Sequence, residues 1–186
     1  MYKTLEEIRD THNIIFTNLE KTKKYNQTII DIYNDNVTDY ISLNDNIINY
    51  HIGCYYMINK NYNMMKIYFS FAIKQGNELA MYELGNYFSS IENNNKKMIK
   101  YYKMASDNGN AIASFRLAQY YSDYKINYTE MCKYYTITIE NGIKYSEEKD
   151  GDDQDEKKNM YFDFATLAIS HLSYYSNFIK KNETMM

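Results

Sequence analysis

The sequence predicts an all-α fold, an α-α superhelix (solenoid) of tandem helical hairpins with a period of about 33 residues. The 186 residues include no proline and only six glycines, so the chain has little of the turn punctuation that sandwiches and barrels need. Gly76, Gly109 and Gly142 are spaced 33 residues apart. The same spacing separates the aromatic pairs that precede them, which are Tyr68-Phe69, Tyr101-Tyr102 and Tyr134-Tyr135. A repeat of this length indicates stacked copies of one helical unit.

Each unit is predicted to contain two helices, A and B. A second motif, in which an aliphatic and a small residue precede a polar residue or cysteine and two aromatics, occupies 52–56, 84–88 and 117–121. In the second unit the apolar spacing predicts helix A over about 77–90 and helix B over about 96–108. A repeated small residue allows the two helices to approach closely; it is Gly53, Gly85 and Ala118 in helix A, and Ala72, Ala105 and Thr138 in helix B. The closing glycine is expected to end helix B in the left-handed conformation. Asn77 and Asn110 are then expected to cap the next helix A.

This pattern resembles the Sel-like repeat, a branch of the tetratricopeptide-type solenoids. In that family helix A carries Ala-x-Ala-x-x-x-Leu-Gly followed by aromatics, and Ala111, Ala113, Leu117 and Ala118 match it. The family's helix B pattern, Lys-Ala-x-x-Trp-Tyr-x-x-Ala-Ala-x-x-Gly-His, is echoed over 97–110. The family's Gly-x-Gly-Val loop is absent and the unit is about three residues short, so the subtype, Sel-like or tetratricopeptide-like, stays open.

The chain is predicted to be one solenoid domain over 1–186. It divides into an N-terminal cap or degenerate repeat (1–43, with helices at 4–24 and 28–43), three repeats (44–143), an acidic loop (144–158) and a C-terminal capping helix and tail (159–186). The acidic loop does not fit an EF-hand, because Lys157 falls where the twelfth position needs a carboxylate. The final helix, expected at 160–180, should close the solenoid with a polar outer side.

Composition limits the classes of partner. The formal charge of −3, the pI near 5.7 and the presence of only two arginines disfavour nucleic acid, so an RNA-binding helical repeat is the weaker alternative. The abundance of Tyr, Asn, Ile and Lys points to an AT-rich genome, such as that of a parasite, an endosymbiont or a large DNA virus of a protist. The charged start, the two cysteines and the lack of a long apolar run predict a cytoplasmic protein, in the host cytoplasm if viral, with no membrane partner.

No constellation of residues predicts catalysis, so the chain is not expected to be an enzyme or to hold a cofactor. The three histidines lie in different units, and His51 with Cys54 supplies only two of the three or four ligands that a metal site needs. Some members of the resembling family carry disulfides, which draws attention to Cys54 and Cys132. These cysteines lie in units that are not neighbours, so no bridge is expected.

The resemblance implies that the A helices line a concave groove. In the family, three groove-facing positions are counted from the aliphatic residue of the helix A motif, which is Ile52, Leu84 or Leu117 here. They lie five residues before it, two before it and two after it. In this sequence they are Ile47, Tyr50 and Cys54; Leu79, Tyr82 and Asn86; and Ile112, Phe115 and Gln119. The middle members, Tyr50, Tyr82 and Phe115, form an aromatic ladder that either recognises a partner or packs the superhelix.

These observations predict a non-catalytic protein–protein interaction adaptor, or scaffold, that binds a partner protein or peptide on its concave face. The alternative is a self-assembling structural protein, a homo-oligomer formed through Tyr- and Met-rich surfaces that include Met64, Met65, Met185 and Met186.

Overall fold

The computed structural model describes residues 31–33, 45–147 and 155–183, with side chains described up to 145 and again over 159–178. The helix predicted at 4–24 lies outside these ranges. So do most of the helix predicted at 28–43, of which 31–33 are helical, and the part of the acidic loop between 148 and 154.

The described chain is a series of helical hairpins. The helices are α1 (Asn46–Ile58), α2 (Tyr62–Lys74), α3 (Glu78–Ser90), α4 (Asn95–Asp107), α5 (Ala111–Asp123), α6 (Tyr128–Glu147) and α7 (Asp155–Glu183). α1, α3 and α5 are the A helices, and each packs chiefly on the B helix that follows it, α2, α4 or α6. Neighbouring hairpins pack on one another in chain order, and α7 packs on α6 and α5. No strand occurs in the described ranges, and the predicted α-solenoid is confirmed.

Asparagine side chains cap the N-termini of most of these helices. From α2 to α6, an asparagine oxygen accepts a hydrogen bond from the backbone amide three residues further on; these residues are Asn61, Asn77, Asn94, Asn110 and Asn127. Asn77 also donates from Nδ2 to the carbonyl of Asn46, 3.3 Å away, and so ties α3 to the start of α1. The two predicted caps are confirmed, and capping satisfies amides that a helix start would leave unpaired.

Two of the three closing glycines end a helix as expected. Gly76 and Gly109 have φ of 83° and 88°, the left-handed region that disfavours any side chain. The expectation is wrong for Gly142, because α6 continues through it to Glu147. A Cβ at Gly142 would lie 2.9 Å from the Cβ of Ala165 and 2.9 Å from the carbonyl oxygen of Tyr161. The residue is therefore needed for the close packing of α7 on α6.

The small residue of helix A accommodates an aromatic ring from helix B. A Cβ added at Gly53 would collide with the ring of Phe69, and one added at Gly85 would collide with the ring of Tyr102. The first two hairpins are thus closed by a ring that lies against helix backbone without a side chain. None of the helices in the described ranges combines the length and apolar character needed to span a membrane.

Candidate functional site

The predicted aromatic ladder faces inward at two of its three rings. Tyr50 and Phe115 are buried, and so is the neighbouring groove candidate Cys54. Burial raises the pKa of Tyr50 and of the Cys54 thiol well above their ordinary values. These three side chains offer almost no surface to a partner in this structure, and they form the support beneath the A-helix surface.

Each ladder ring packs on the second aromatic of its own helix B. Ring centroids are 6.0 Å apart for Tyr50 and Phe69, and 5.9 Å apart for Tyr82 and Tyr102. In the third hairpin Phe115 lies 5.6 Å from Tyr135. Offset and edge-on pairs of this kind stabilise a core beyond their buried area. The ladder therefore closes the hairpins, which is the packing alternative left open by the sequence.

The remaining groove candidates are half-buried and reach the surface. They are Ile47 on α1, Leu79, Tyr82 and Asn86 on α3, and Ile112 and Gln119 on α5. The polar members on α3 are fixed by hydrogen bonds. The Tyr102 hydroxyl donates to Asn86 Oδ1 at 2.7 Å, and Asn86 Nδ2 donates to Glu83 Oε2 at 3.2 Å.

Arg116, which is not among the residues predicted from the sequence, joins this group. Its guanidinium donates from Nη1 to Gln119 Oε1 at 3.2 Å, and its charge acts on the phenol of Tyr82 on the neighbouring helix α3. Burial raises the pKa of Tyr82, against the lowering effect of the Arg116 charge. Within the described ranges no carboxylate forms an ion pair with Arg116, whose side chain is exposed. Tyr82, Asn86, Arg116 and Gln119 are called the α3–α5 polar cluster below.

The position of Arg116 in the repeat could have identified it as a candidate site residue. It stands one residue before the helix A aliphatic Leu117, and the same position holds Glu83 in the second unit and His171 before Leu172 in α7. Each of the three lies beside the ladder residue of the preceding unit. After burial, the Glu83 charge helps to raise the pKa of Tyr50. The Arg116 charge acts to lower the pKa of Tyr82, and the His171 ring lies 6.0 Å from Phe115. This position is therefore a column of ionisable residues running along the A helices.

The described residues include possible metal ligands and the thiols of Cys54 and Cys132. No group of three or more His, Cys, Asp or Glu side chains is arranged to hold a metal ion within the part of the chain that the structure describes. Cys54 and Cys132 are free thiols, and burial raises the pKa of both, which disfavours the reactive thiolate.

No protein-family model matches the chain, and none of the curated proteins matches it. Two solved structures are similar. The protective antigen c5321 of uropathogenic Escherichia coli, described as displaying an SLR fold, is 17% identical with a TM-score of 0.47, over 87% of this chain and 40% of that one. The immunity protein Pa5087 of Pseudomonas aeruginosa is 21% identical with a TM-score of 0.38, over 54% of this chain and 44% of that one. This chain therefore matches less than half the length of either, and the likeness concerns the fold alone.

Proposed function

We propose that this chain is a non-catalytic adaptor that binds a partner protein or peptide on the surface formed by its A helices. The observation that carries the proposal is the α3–α5 polar cluster, in which two neighbouring repeat units place hydrogen-bonding side chains side by side. Side chains with both donors and acceptors, beside partly exposed aromatic surface, are suited to binding a peptide segment.

Arg116 is the proposed anchor of this surface. A guanidinium presents five N–H donors in a fixed fork, and the hydrogen-bond partner of Arg116 among the described residues is the uncharged Gln119. The guanidinium thus forms a hydrogen bond without forming an ion pair among the described residues. A partner segment that brings a carboxylate to Arg116 would form charge-assisted hydrogen bonds there.

The half-buried Leu79 and Ile112 supply the apolar contacts of the proposed surface. They flank the α3–α5 polar cluster, each three residues before the ladder ring of its own helix. The buried Tyr50, Cys54 and Phe115 fix the positions of the A helices without touching the partner. Preorganisation of this kind lowers the entropy that binding costs.

The test is affinity capture from cells of the source organism, with wild type compared with Arg116→Glu/Gln119→Ala. The substituted side chains are exposed or half-buried, so the variant is expected to keep its helical circular dichroism. One or a few partners captured by wild type should be lost by the variant. Recombinant partner should then bind the variant at least ~10-fold more weakly, because a charge reversal at an anchor replaces attraction by repulsion.

The matched control is Lys100→Glu, which changes the net charge equally at an exposed position on the B helix α4. The control should capture the same partners as wild type. Equal capture by all three proteins would remove the α3–α5 polar cluster from the proposal. Loss from both charge variants alike would show that net charge, and not this surface, governs capture.

A further inference from the structure

The outward side of α7 is unusually apolar for an exposed helix. Phe162, Leu167, Ile169, Tyr174 and Phe178 each leave between 47% and 75% of their surface exposed. The predicted polar outer side is therefore wrong for this helix. The predicted self-assembly surfaces include Met64, Met65, Met185 and Met186. Met65 is buried and Met64 half-buried, while Met185 and Met186 lie outside the described residues. Large exposed apolar patches mark interaction surfaces, so the place for one is α7.

The five side chains form two ridges along the helix. At about 100° of turn per residue, Phe162 and Ile169 fall on one edge of the exposed face, and Leu167, Tyr174 and Phe178 on the other. Between the ridges lie short polar residues that are all exposed, namely Asp163, Thr166, Ser170, Ser173 and Asn177. The Thr166 hydroxyl donates to the carbonyl of Phe162 at 2.9 Å, so it can be covered without losing a partner. The face has the shape of a shallow channel that admits another helix.

Charge is almost absent from this face. Over residues 159–178, the one formally charged residue of the sequence is Asp163, His171 aside, and it lies at the N-terminal end of the channel. Charged residues cluster at 155–158 and 180–183. An apolar centre bordered by charged ends is the usual anatomy of a protein interface.

The repeat explains why the face is open. Relative to Leu172, Leu167, Ser170 and Tyr174 occupy the positions that Ile112, Phe115 and Gln119 occupy relative to Leu117. On α5 the middle position is covered, since Phe115 lies 5.6 Å from Tyr135 of α6 and 5.1 Å from Phe164 of α7. The face of α7 is therefore a unit-stacking surface on which no further helix lies in the described part of the chain.

We propose that a second copy of this chain covers the face, with the two α7 helices packed antiparallel about a two-fold axis near Ser170 and His171. Positions 167 and 174 are equidistant from that axis, so Leu167 of each copy lies opposite Tyr174 of the other. The same patch then serves both partners, as a closed two-fold dimer requires. This contact is independent of the proposed adaptor surface on α3 and α5.

The available area suits such a dimer. A fully covered aromatic side chain buries about 150–250 Å², so three half-exposed aromatics with Leu167 and Ile169 offer on the order of 400–500 Å² per copy. Stable interfaces bury about 800 Å² per partner. The exposed short side chains between the ridges add to this area, because small side chains let the helix axes approach closely.

The test is sedimentation equilibrium of the full chain over a wide concentration range. Wild type should reach twice the monomer mass of 22.3 kDa. Leu167→Glu/Tyr174→Glu places like charges opposite each other and should weaken dimerisation at least ~100-fold. Leu167→Lys/Tyr174→Glu alters the same two positions but places opposite charges face to face, and should recover at least ~10-fold of that loss. Tyr124→Glu, at an exposed tyrosine after α5, should dimerise like wild type.

Circular dichroism and thermal melts establish that each variant is folded, which the exposure of both substituted residues favours. A wild type that stays at 22.3 kDa at every concentration overturns the proposal, and so does a Leu167→Glu/Tyr174→Glu variant that still dimerises. Two equally monomeric charge variants exclude the antiparallel register proposed. A monomeric wild type that binds a different protein through α7 assigns the face to that partner, and also overturns the proposal.

Discussion

The second and third hairpins carry the same motif and close differently. In the second, helix A has Gly85, and the Tyr102 ring lies against its backbone and stacks on Tyr82 with an interplanar angle of 29°. In the third, helix A has Ala118 at the same place, and Tyr135 meets Phe115 at 62°. The first hairpin has Gly53 and an angle of 24° between Tyr50 and Phe69, so it follows the second.

The methyl group of Ala118 therefore accompanies a change in the residue on which the helix B ring stacks. Beside Gly53 and Gly85, the ring from helix B fills the space next to the helix backbone. At Ala118 that space is occupied by a Cβ, and the Tyr135 ring has a different orientation. Tyr135 then stacks on His171 of α7, with centroids 5.1 Å apart and an angle of 12°. The glycine hairpins hold their helix B ring by themselves, whereas the alanine hairpin uses the following helix.

The largest effect is expected from removing the ring of a glycine hairpin. Tyr102→Ala should lower the free energy of unfolding by about 3–5 kcal/mol, because it leaves a cavity against Gly85 and removes the hydrogen bond to Asn86. Urea denaturation followed by circular dichroism measures the loss. Tyr124→Ala, at a tyrosine that is 82% exposed, should stay within about 0.5 kcal/mol of wild type. Similar losses in the two variants would contradict the closing role of the Tyr102 ring.

Exchanging the small residues tests the comparison directly. Gly85→Ala should cost about 1–3 kcal/mol because its Cβ collides with the ring of Tyr102. Ala118→Gly should cost only about 0.5–1 kcal/mol, the ordinary penalty of glycine in a helix. In a Tyr102→Ala background the collision is gone, and Gly85→Ala should become stabilising by up to about 1 kcal/mol. A Gly85→Ala cost of the same sign and size in both backgrounds would rule out steric contact with the ring as its cause.

The smallest effect concerns alkaline stability. Burial raises the pKa of Tyr134 and Tyr135 to about 12 and raises that of Tyr102 still further, whereas an unfolded tyrosine titrates near 10. The native state therefore keeps protons that the unfolded state loses, so this stabilisation is complete below about pH 10 and is lost as pH rises towards 12. Tyrosinate absorbance should show a late phase that shrinks in Tyr135→Phe and Tyr102→Phe. A single transition near 10 in the folded protein would contradict it.

The sequence predicted the parts of the fold that depend on local chemistry. Asn77 and Asn110 as caps, and Gly76 and Gly109 as left-handed ends, follow from properties of single residues near a helix end. The prediction that Gly142 ends a helix was wrong because glycine also permits close packing of two helices. The spacing of 33 residues cannot distinguish a helix-ending glycine from a packing glycine. Tertiary contact decided between them.

The candidate site was predicted less well for a similar reason. Positions counted from the helix A aliphatic located Tyr82, Asn86 and Gln119 at the surface, but they could not show that Tyr50 and Phe115 are covered. Arg116 was missed because its meaning depends on Tyr82, which comes from the preceding unit. The apolar face of α7 was missed because the pattern of a single helix carries no information about whether another helix packs on it.

The continuation of α6 past Gly142 also affects how the molecule frays. An array whose units touch only their neighbours loses structure from its ends inward. Here α6 has 20 residues and α7 has 29, about 30 Å and 44 Å of helix, against 13 residues, or about 20 Å, in each of α1 to α5. The most extensive contact between two described helices thus lies at the C-terminal end. In a regular array the C-terminal end would be one of the two places where unfolding begins. Here α6 and α7 must separate before the third hairpin can open, and that separation breaks the most extensive helix contact.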